Sequence, residues 1–382
     1  MKLYRRLPLP AAFVGGIALG LVAALIWTSL AVGRGPNGAS TIDRAALESL
    51  LAERTVNPTG QTRRFELTVA ETEWELMPGV RTKAVTFNGT VPGPTIRVTE
   101  GDMVEVVVRN DLNEGTSIHW HGVHVPNDQD GVSGVTQDAI QPGATYTYRF
   151  VAPHAGTFMY HAHGPNSREQ MDRGLYAPFI IDPAGGDVLK VDKEVTLTIG
   201  NWMVGDSSGQ MPGMDMGGDS TSMSMEYDYF TINGKSYPAT TATSVQQNDL
   251  VRVRFLNPSQ TVHPMHLHGT DMAVIAKDGE PLTTPQRLNV LNIAPGETYD
   301  VVFRADNPGT WLLHCHDLHH ASNAGVEPGG LIVPIIVTPA GPAPATSGPA
   351  AGSPAATDRP TPTMDPGMTA MPGMDSMPGM AQ

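Results

Sequence analysis

One pattern occurs twice in this chain, in the same order, and it restricts the fold before any single residue is weighed. Phe87-Asn88-Gly89 leads through two strand-like runs to Ile118-His119-Trp120-His121-Gly122, and Ile232-Asn233-Gly234 leads through two more to Met265-His266-Leu267-His268-Gly269. Further on, Gly156-Thr157-Phe158-Met159-Tyr160-His161-Ala162-His163 answers to Gly309-Thr310-Trp311-Leu312-Leu313-His314-Cys315-His316. Each half therefore carries two His-x-His pairs at matching positions, which is the mark of a duplicated domain. The texture inside each half is short β-branched runs cut by Gly, Pro and Asn: Arg64 to Thr72, Val85 to Phe87, Thr95 to Val98 and Met103 to Arg109 in the first. Such spacing predicts an all-β sandwich or barrel rather than strands alternating with helices.

Between Gly60 and Ala340 there is room for two such domains, expected at 61–186 and 187–340. The ends are different material. Lys2, Arg5 and Arg6 precede an almost uncharged run from Leu7 to Val32, and Ala11 to Val32 exceeds the about 20 residues that span a bilayer. Residues 1–33 read as an uncleaved signal anchor or a cleaved export signal, with the basic flank cytoplasmic and the body extracytoplasmic. Residues 34–60 form a linker with a short helix expected over Ile42 to Arg54. Two segments crowd methionine among Gly, Ser, Asp and Pro: Met203 to Met225, and the tail 341–382 with Met364, Met368, Met371, Met374, Met377 and Met380. Neither can bury enough apolar surface to order itself. The balance of 38 Asp and Glu against 24 Lys and Arg argues against a nucleic-acid partner.

The chain's 1 cysteine lies in Leu313-His314-Cys315-His316-Asp317-Leu318-His319-His320 and excludes an intramolecular disulfide. If Trp311 to His316 is a strand, alternation puts His314 and His316 on one face and Cys315 on the other, so one strand could serve two metal sites back to back. Imidazole and thiolate suit copper and zinc, but a structural zinc site commonly takes several cysteines. One Cys, two His and a weak axial neighbour is the blue-copper arrangement. His263 stands three residues before His266 and His320 lies five beyond Cys315, which makes them the candidate partners of Cys315.

With these four histidine motifs in order, the chain resembles a multicopper oxidase of the two-domain, laccase-like kind over roughly Phe65 to Val337. The resemblance implies two tandem cupredoxin-like Greek-key domains, one blue mononuclear copper and a cluster of three coppers. By position in the family pattern, His119 and His266 would hold the single cluster copper, His121, His161 and His316 one of the coupled pair, and His163, His268 and His314 the other. His263, Cys315 and His320 would hold the blue copper. Asp130 matches the family's first-domain proton donor. Ala162 stands where Cys315 stands in the second half, so the first domain should lack a blue site.

No methionine occupies the expected axial position. Gly325 falls at the usual spacing, but Val326 to Gly329 reads as an inserted loop and Leu331 is the expected axial neighbour. Ala321 replaces the acid often found after the last blue-site histidine, and Asp317 is the candidate substitute. His124, His154 and His319 lie outside the pattern and read as solvated or capping residues. With no middle domain to bring the two ends together, the resemblance implies a head-to-tail homotrimer with clusters between chains. Dioxygen is the expected oxidant, and cuprous ion, captured by soft methionine thioethers, or a phenol the expected reductant. A two-domain copper nitrite reductase and a non-enzymatic copper carrier are the competing readings; the first needs its cysteine in the first half, and the second has no use for paired His-x-His arrays.

Overall fold

Burial alternates along the strands as the period of two requires. In Met103–Asn110 the side chains of Val104, Val106 and Val108 are fully buried while Met103 and Arg109 face water. The protein is described by a computed structural model covering residues 33–34, 40–41, 43–52, 56–204 and 227–341. A two-residue ribbon, β1 (Gly33–Arg34) with β2 (Ser40–Thr41), precedes helix α1 (Arg44–Leu51), which is shorter than expected and starts where the Asp43 carboxylate accepts a hydrogen bond from the Ala45 amide at 3.1 Å. Thr59 then docks the chain onto the body, its amide donating to the Gly101 carbonyl and its hydroxyl to Asp102.

The first sandwich is built from two four-stranded sheets. One comprises β3 (Thr62–Met77), β4 (Val80–Phe87), β6 (Met103–Asn110) and β8 (Thr145–Val151) in the order β4-β3-β6-β8. The other comprises β5 (Ile96–Thr99), β7 (Ile118–His121), β9 (Gly156–Ala162) and β10 (Tyr176–Asp182) in the order β5-β10-β9-β7. The first two strands are longer than their β-branched cores because Gly79, at φ +83°, closes them into one hairpin. A short helix, α2 (Ser167–Asp172), sits between β9 and β10.

The second sandwich repeats this plan and adds to it. Strands β11 (Lys193–Trp202), β12 (Tyr229–Ile232), β14 (Leu250–Leu256) and β19 (Thr298–Arg304) are extended by the hairpin β16 (Met272–Lys277) and β17 (Glu280–Leu288) into the order β12-β11-β14-β19-β16-β17. Facing it, β13 (Thr243–Gln246), β15 (His263–Leu267), β18 (Val290–Ile293), β20 (Gly309–Cys315) and β21 (Ile332–Thr338) lie in the order β13-β21-β20-β15-β18. The Asn-Gly turns coincide as well: Asn88 (φ 53°) bonds the Thr68 amide and the Glu66 carbonyl as Asn233 (φ 52°) bonds the Thr198 amide and the Thr196 carbonyl. This is the all-β, cupredoxin-like duplication that the sequence implied.

The halves are joined by a buried polar knot. Arg254 on β14 donates to Asp300 Oδ2 at 2.7 Å and to the Thr157 hydroxyl of the first half at 2.6 Å, and Thr157 donates to Asp300 Oδ1 at 2.6 Å. An apolar cluster of Leu76, Ala84, Val91, Tyr176 and Trp202 seals the joint elsewhere. Among the described residues no helix is long and apolar enough to cross a membrane; Ala11 to Val32, most of Met203 to Met225 and the methionines of the tail lie outside the described residues.

Candidate copper centres

Strand β20 does what alternation required of it. It ends one residue earlier than expected, at Cys315, yet His314 and His316 face one way and Cys315 the other. On the inner side Cys315 Sγ lies 3.6 Å from His320 Nδ1 and 4.0 Å from His263 Nδ1, and the three donor atoms fall within 4.8 Å of one another. All three residues are buried. His263 Nε2 is held by the Ser259 and Thr261 hydroxyls, each at 3.0 Å, and the Ser259 hydroxyl in turn donates to Asn257 Oδ1 at 2.6 Å. That fixes Nδ1 of His263 as the free donor, the outer-partner logic of a ligating imidazole. Phe230 covers the His320 ring at 4.3 Å between centroids.

Leu331 is fully buried in the same apolar cluster as Cys315, its carbonyl accepting from the Cys315 amide at 3.0 Å and its amide donating to the His320 carbonyl at 2.9 Å. Gly325 stands in open space at φ +78°. Of the two axial candidates it is Leu331 that shares the core cluster and the backbone pairing of Cys315 and His320.

On the outer side two histidine quartets form, one per half. His119, His121, His161 and His163 are linked by ring contacts of 5.4 to 6.2 Å, and His266, His268, His314 and His316 by contacts of 4.9 to 6.0 Å. The register is identical, with His119 opposite His161 and His266 opposite His314 across antiparallel pairs. Four of the eight rings are aimed by a backbone carbonyl: Nδ1 of His119 donates to Asp130, of His161 to Ala162, of His266 to Asn289 and of His314 to Cys315, at 2.7 to 2.9 Å. Nε2 is thereby left without a proton in all four. His121 is held differently. Its Nδ1 faces His161 Nε2 at 3.3 Å, while its other edge lies against Gly296 of the second half, where an added Cβ would stand 3.5 Å from Nε2. His268 and His314 bring their Nε2 atoms to 3.0 Å. In each pair the unprotonated Nε2 of His161 or His314 faces a second ring nitrogen, close enough for the two to share a proton or a metal ion.

Burial sets the charge states. It pushes the His161 and His263 imidazoles down to about 3 and holds His121, His268, His314 and His320 below the ordinary imidazole value, so these rings are neutral, metal-ready donors at pH 7. Burial pushes the Cys315 thiol up to about 12, so a metal must displace its proton. One thiolate with two imidazoles at the inner site, and imidazoles alone at the outer ones, is a donor set that fits copper.

Asp130 ends a single 3₁₀ turn, Asn127–Gln129, and its Oδ1 lies 3.3 Å from His119 Nδ1, behind a quartet member. Asp317, the candidate substitute for the acid missing at Ala321, lies beside His320. Its side chain caps the 3₁₀ turn Leu318–Ala321, accepting from the His319 amide at 3.1 Å, and this draws the carboxylate to 3.6 Å from His320 Nε2, on the blue-site side. His124 and His154 meet edge to face at 4.9 Å outside both quartets, and His319 Nε2 donates to the Tyr227 carbonyl at 3.1 Å. Ser259, Thr261, Phe230 and Asn289 were missed by sequence reasoning, because hydroxyls, rings and carbonyls that aim a ligand follow no fixed spacing.

The fold and these convergent donors define a class, a pair of cupredoxin-like domains with one cysteine-bearing copper site and two imidazole quartets. Residues 68–185 and 212–326 each match a sequence family described as multicopper oxidase. The chain is similar to a blue copper oxidase from Nitrosomonas europaea, at 36% identity over 72% of this chain and 86% of that one with a TM-score of 0.66, and to the multicopper oxidase mgLAC, at 40% identity, the same coverage and a TM-score of 0.66. It is also 31% identical to a copper resistance protein A homolog of Pseudomonas syringae pv. tomato, over 62% of this chain and 46% of that protein. The chain spans about half the length of most of the curated relatives it matches. It belongs to the multicopper oxidase family, whose cofactor is copper.

Proposed function

We propose that this chain is an oxidase that takes single electrons from a reductant at the Cys315 site and delivers them to dioxygen at the histidine quartets. Copper bound at the two kinds of site would supply the one-electron steps that connect the reductant to the four-electron reduction of dioxygen to water. The observation that carries the reading is the back-to-back geometry of β20: Cys315 is one peptide bond from each of His314 and His316, which belong to a quartet. His263, Cys315 and His320 would hold the blue copper, with the apolar Leu331 nearby offering it no ligand atom. His119 and His266 hold the single cluster ion, His121, His161 and His316 one of the coupled pair, and His163, His268 and His314 the other. The cysteine's place in the second half, with Ala162 in the first, speaks against a nitrite reductase. Asp130, beside His119, holds the proton that dioxygen reduction consumes. An Asp130→Asn enzyme should bind its full copper complement and turn over more slowly, and full turnover would remove Asp130 from the reaction.

Each quartet supplies only half of a cluster, and among the described residues every quartet ring contact stays within its own half. A head-to-tail homotrimer, in which the first domain (61–186) of one chain meets the second (187–340) of the next, completes the site by a heterologous contact that closes. A fully active monomer would overturn this. The reductant we favour is cuprous ion, gathered by the methionines of 203–225 and of the tail, in copper tolerance outside the cytoplasm, with residues 1–33 as anchor or export signal. Copper content and turnover on cuprous ion and on a phenol, with and without the two methionine segments, test it. A copper-loaded protein that oxidises neither reductant would sink the oxidase reading, and undiminished cuprous turnover without the methionines would sink their role.

A further inference from the structure

The outer edge of the blue site carries a feature that the electron-transfer reading above does not use. Resting on that reading, we propose that Asp317 is the positioning and specificity residue of this edge: it orients His320 and biases the site toward cationic reductants. The His320 ring is held between two groups along one axis, with Nδ1 3.6 Å from Cys315 Sγ and Nε2 3.6 Å from Asp317 Oδ2. Phe230 at 4.3 Å and His263 at 4.7 Å fix the plane of the ring. The carboxylate cannot swing away freely, because its other oxygen accepts from the His319 amide at 3.1 Å and the Asp317 carbonyl accepts from the His320 amide at 3.0 Å.

The exposures differ in the useful direction. His320 is 7% exposed, whereas the Asp317 side chain is 49% exposed, so a reductant arriving from solvent meets the carboxylate before the imidazole. Among the described residues no lysine or arginine pairs with Asp317, and its charge is left to act on the site. A negative charge close to a metal ligand favours the more oxidised ion and lowers the reduction potential. The same charge raises the local concentration of cations and does nothing for a neutral phenol. Its carboxylate contacts His320 and the His319 amide, which is why it is assigned to electron uptake.

Asp317→Asn tests the idea, because asparagine caps a helical turn as well as aspartate and removes only the charge. In the copper-loaded protein the blue-site potential should rise in a redox titration, and the ratio of KM for cuprous ion to KM for a neutral methoxyphenol should rise about three- to tenfold, the reach of one partly exposed charge. Both must move for the proposal to stand. A potential and a ratio at their wild-type values would overturn it, and so would turnover falling equally for both reductants with the potential fixed, which would return Asp317 to the dioxygen side. Failure of the wild-type protein to oxidise either reductant would count against the oxidase reading and, with it, the specificity part of the proposal, while the potential shift, measured without turnover, would still decide whether Asp317 acts on His320.

Discussion

The two halves share their strand order, their Asn-Gly turns and the register of their histidines, and differ at a handful of buried positions that decide where a blue site can exist. Asn110 and Asn257, both fully buried, do the same job, donating to the Ile140 and Ile293 carbonyls and accepting from the amide two residues on. That second acceptor bond is received from Leu112 in the first half and from Ser259 in the second, where the hydroxyl goes on to hold His263. By the offsets that locate His263 and His320, the first half has Thr116 and Ser167, and Thr116 spends its hydroxyl on Gln170 at 2.8 Å. Ala162 faces Ile118 as Cys315 faces Met265. Behind it Trp120, Tyr148, Phe150 and Tyr160 fill the interior with aromatic rings. A duplicated fold can thus keep its outer quartet intact while its inner site is replaced by ordinary core.

The sharpest way to break this comparison is to make the second half resemble the first. Cys315→Ala should erase the blue absorption and lower turnover roughly 10³-fold or more, with the quartet coppers retained. Visible spectra and metal analysis check this, and loss of every copper would mean that the two sites are not separable. Next in size is the joint between the halves. Arg254→Met leaves Asp300 buried without its cation and should cost about 3–5 kcal/mol in denaturant unfolding, the usual result of removing one partner of a buried pair.

A pH effect follows in both halves at once. His161 and His263 have folded values depressed from 6.5 to about 3, so the folded metal-free protein binds fewer protons than the unfolded chain between those limits. Stability of the metal-free protein should be complete above about pH 6.5 and decline as pH falls toward 3, read as a falling melting temperature. A flat profile would mean that these rings are not held neutral. The smallest expected effect is at the axial neighbour. Leu331→Met supplies a thioether where none exists and should lower the blue-site potential by about 60 mV, a decade for a one-electron step; no change would remove Leu331 from the site.

Much of this was legible in the chain because metal ligands and strand periodicity are both local signals. His-x-His on a strand forces both imidazoles to one face, and a cysteine between them is forced to the other, whatever surrounds the strand. Where the Asp317 side chain lies was not legible, because position in the chain does not say which way a capping side chain is drawn, and here the 3₁₀ turn holds it beside His320. The extent of β3 and β4 was underestimated because a hairpin continues as long as its partner supplies hydrogen bonds, beyond the β-branched residues that announce it.

The sequence by itself determined the duplication, the all-β class, the ten patterned histidines and the asymmetry between Ala162 and Cys315, since each is a matter of residue identity and spacing. Only the tertiary structure decided which nitrogen of His119, His161, His263, His266 and His314 is free, that Leu331 and not Gly325 pairs with the Cys315 backbone, and that His121 leans on Gly296 across the two halves. Those depend on carbonyls, hydroxyls and backbone brought together from distant parts of the chain, and no local pattern encodes their meeting.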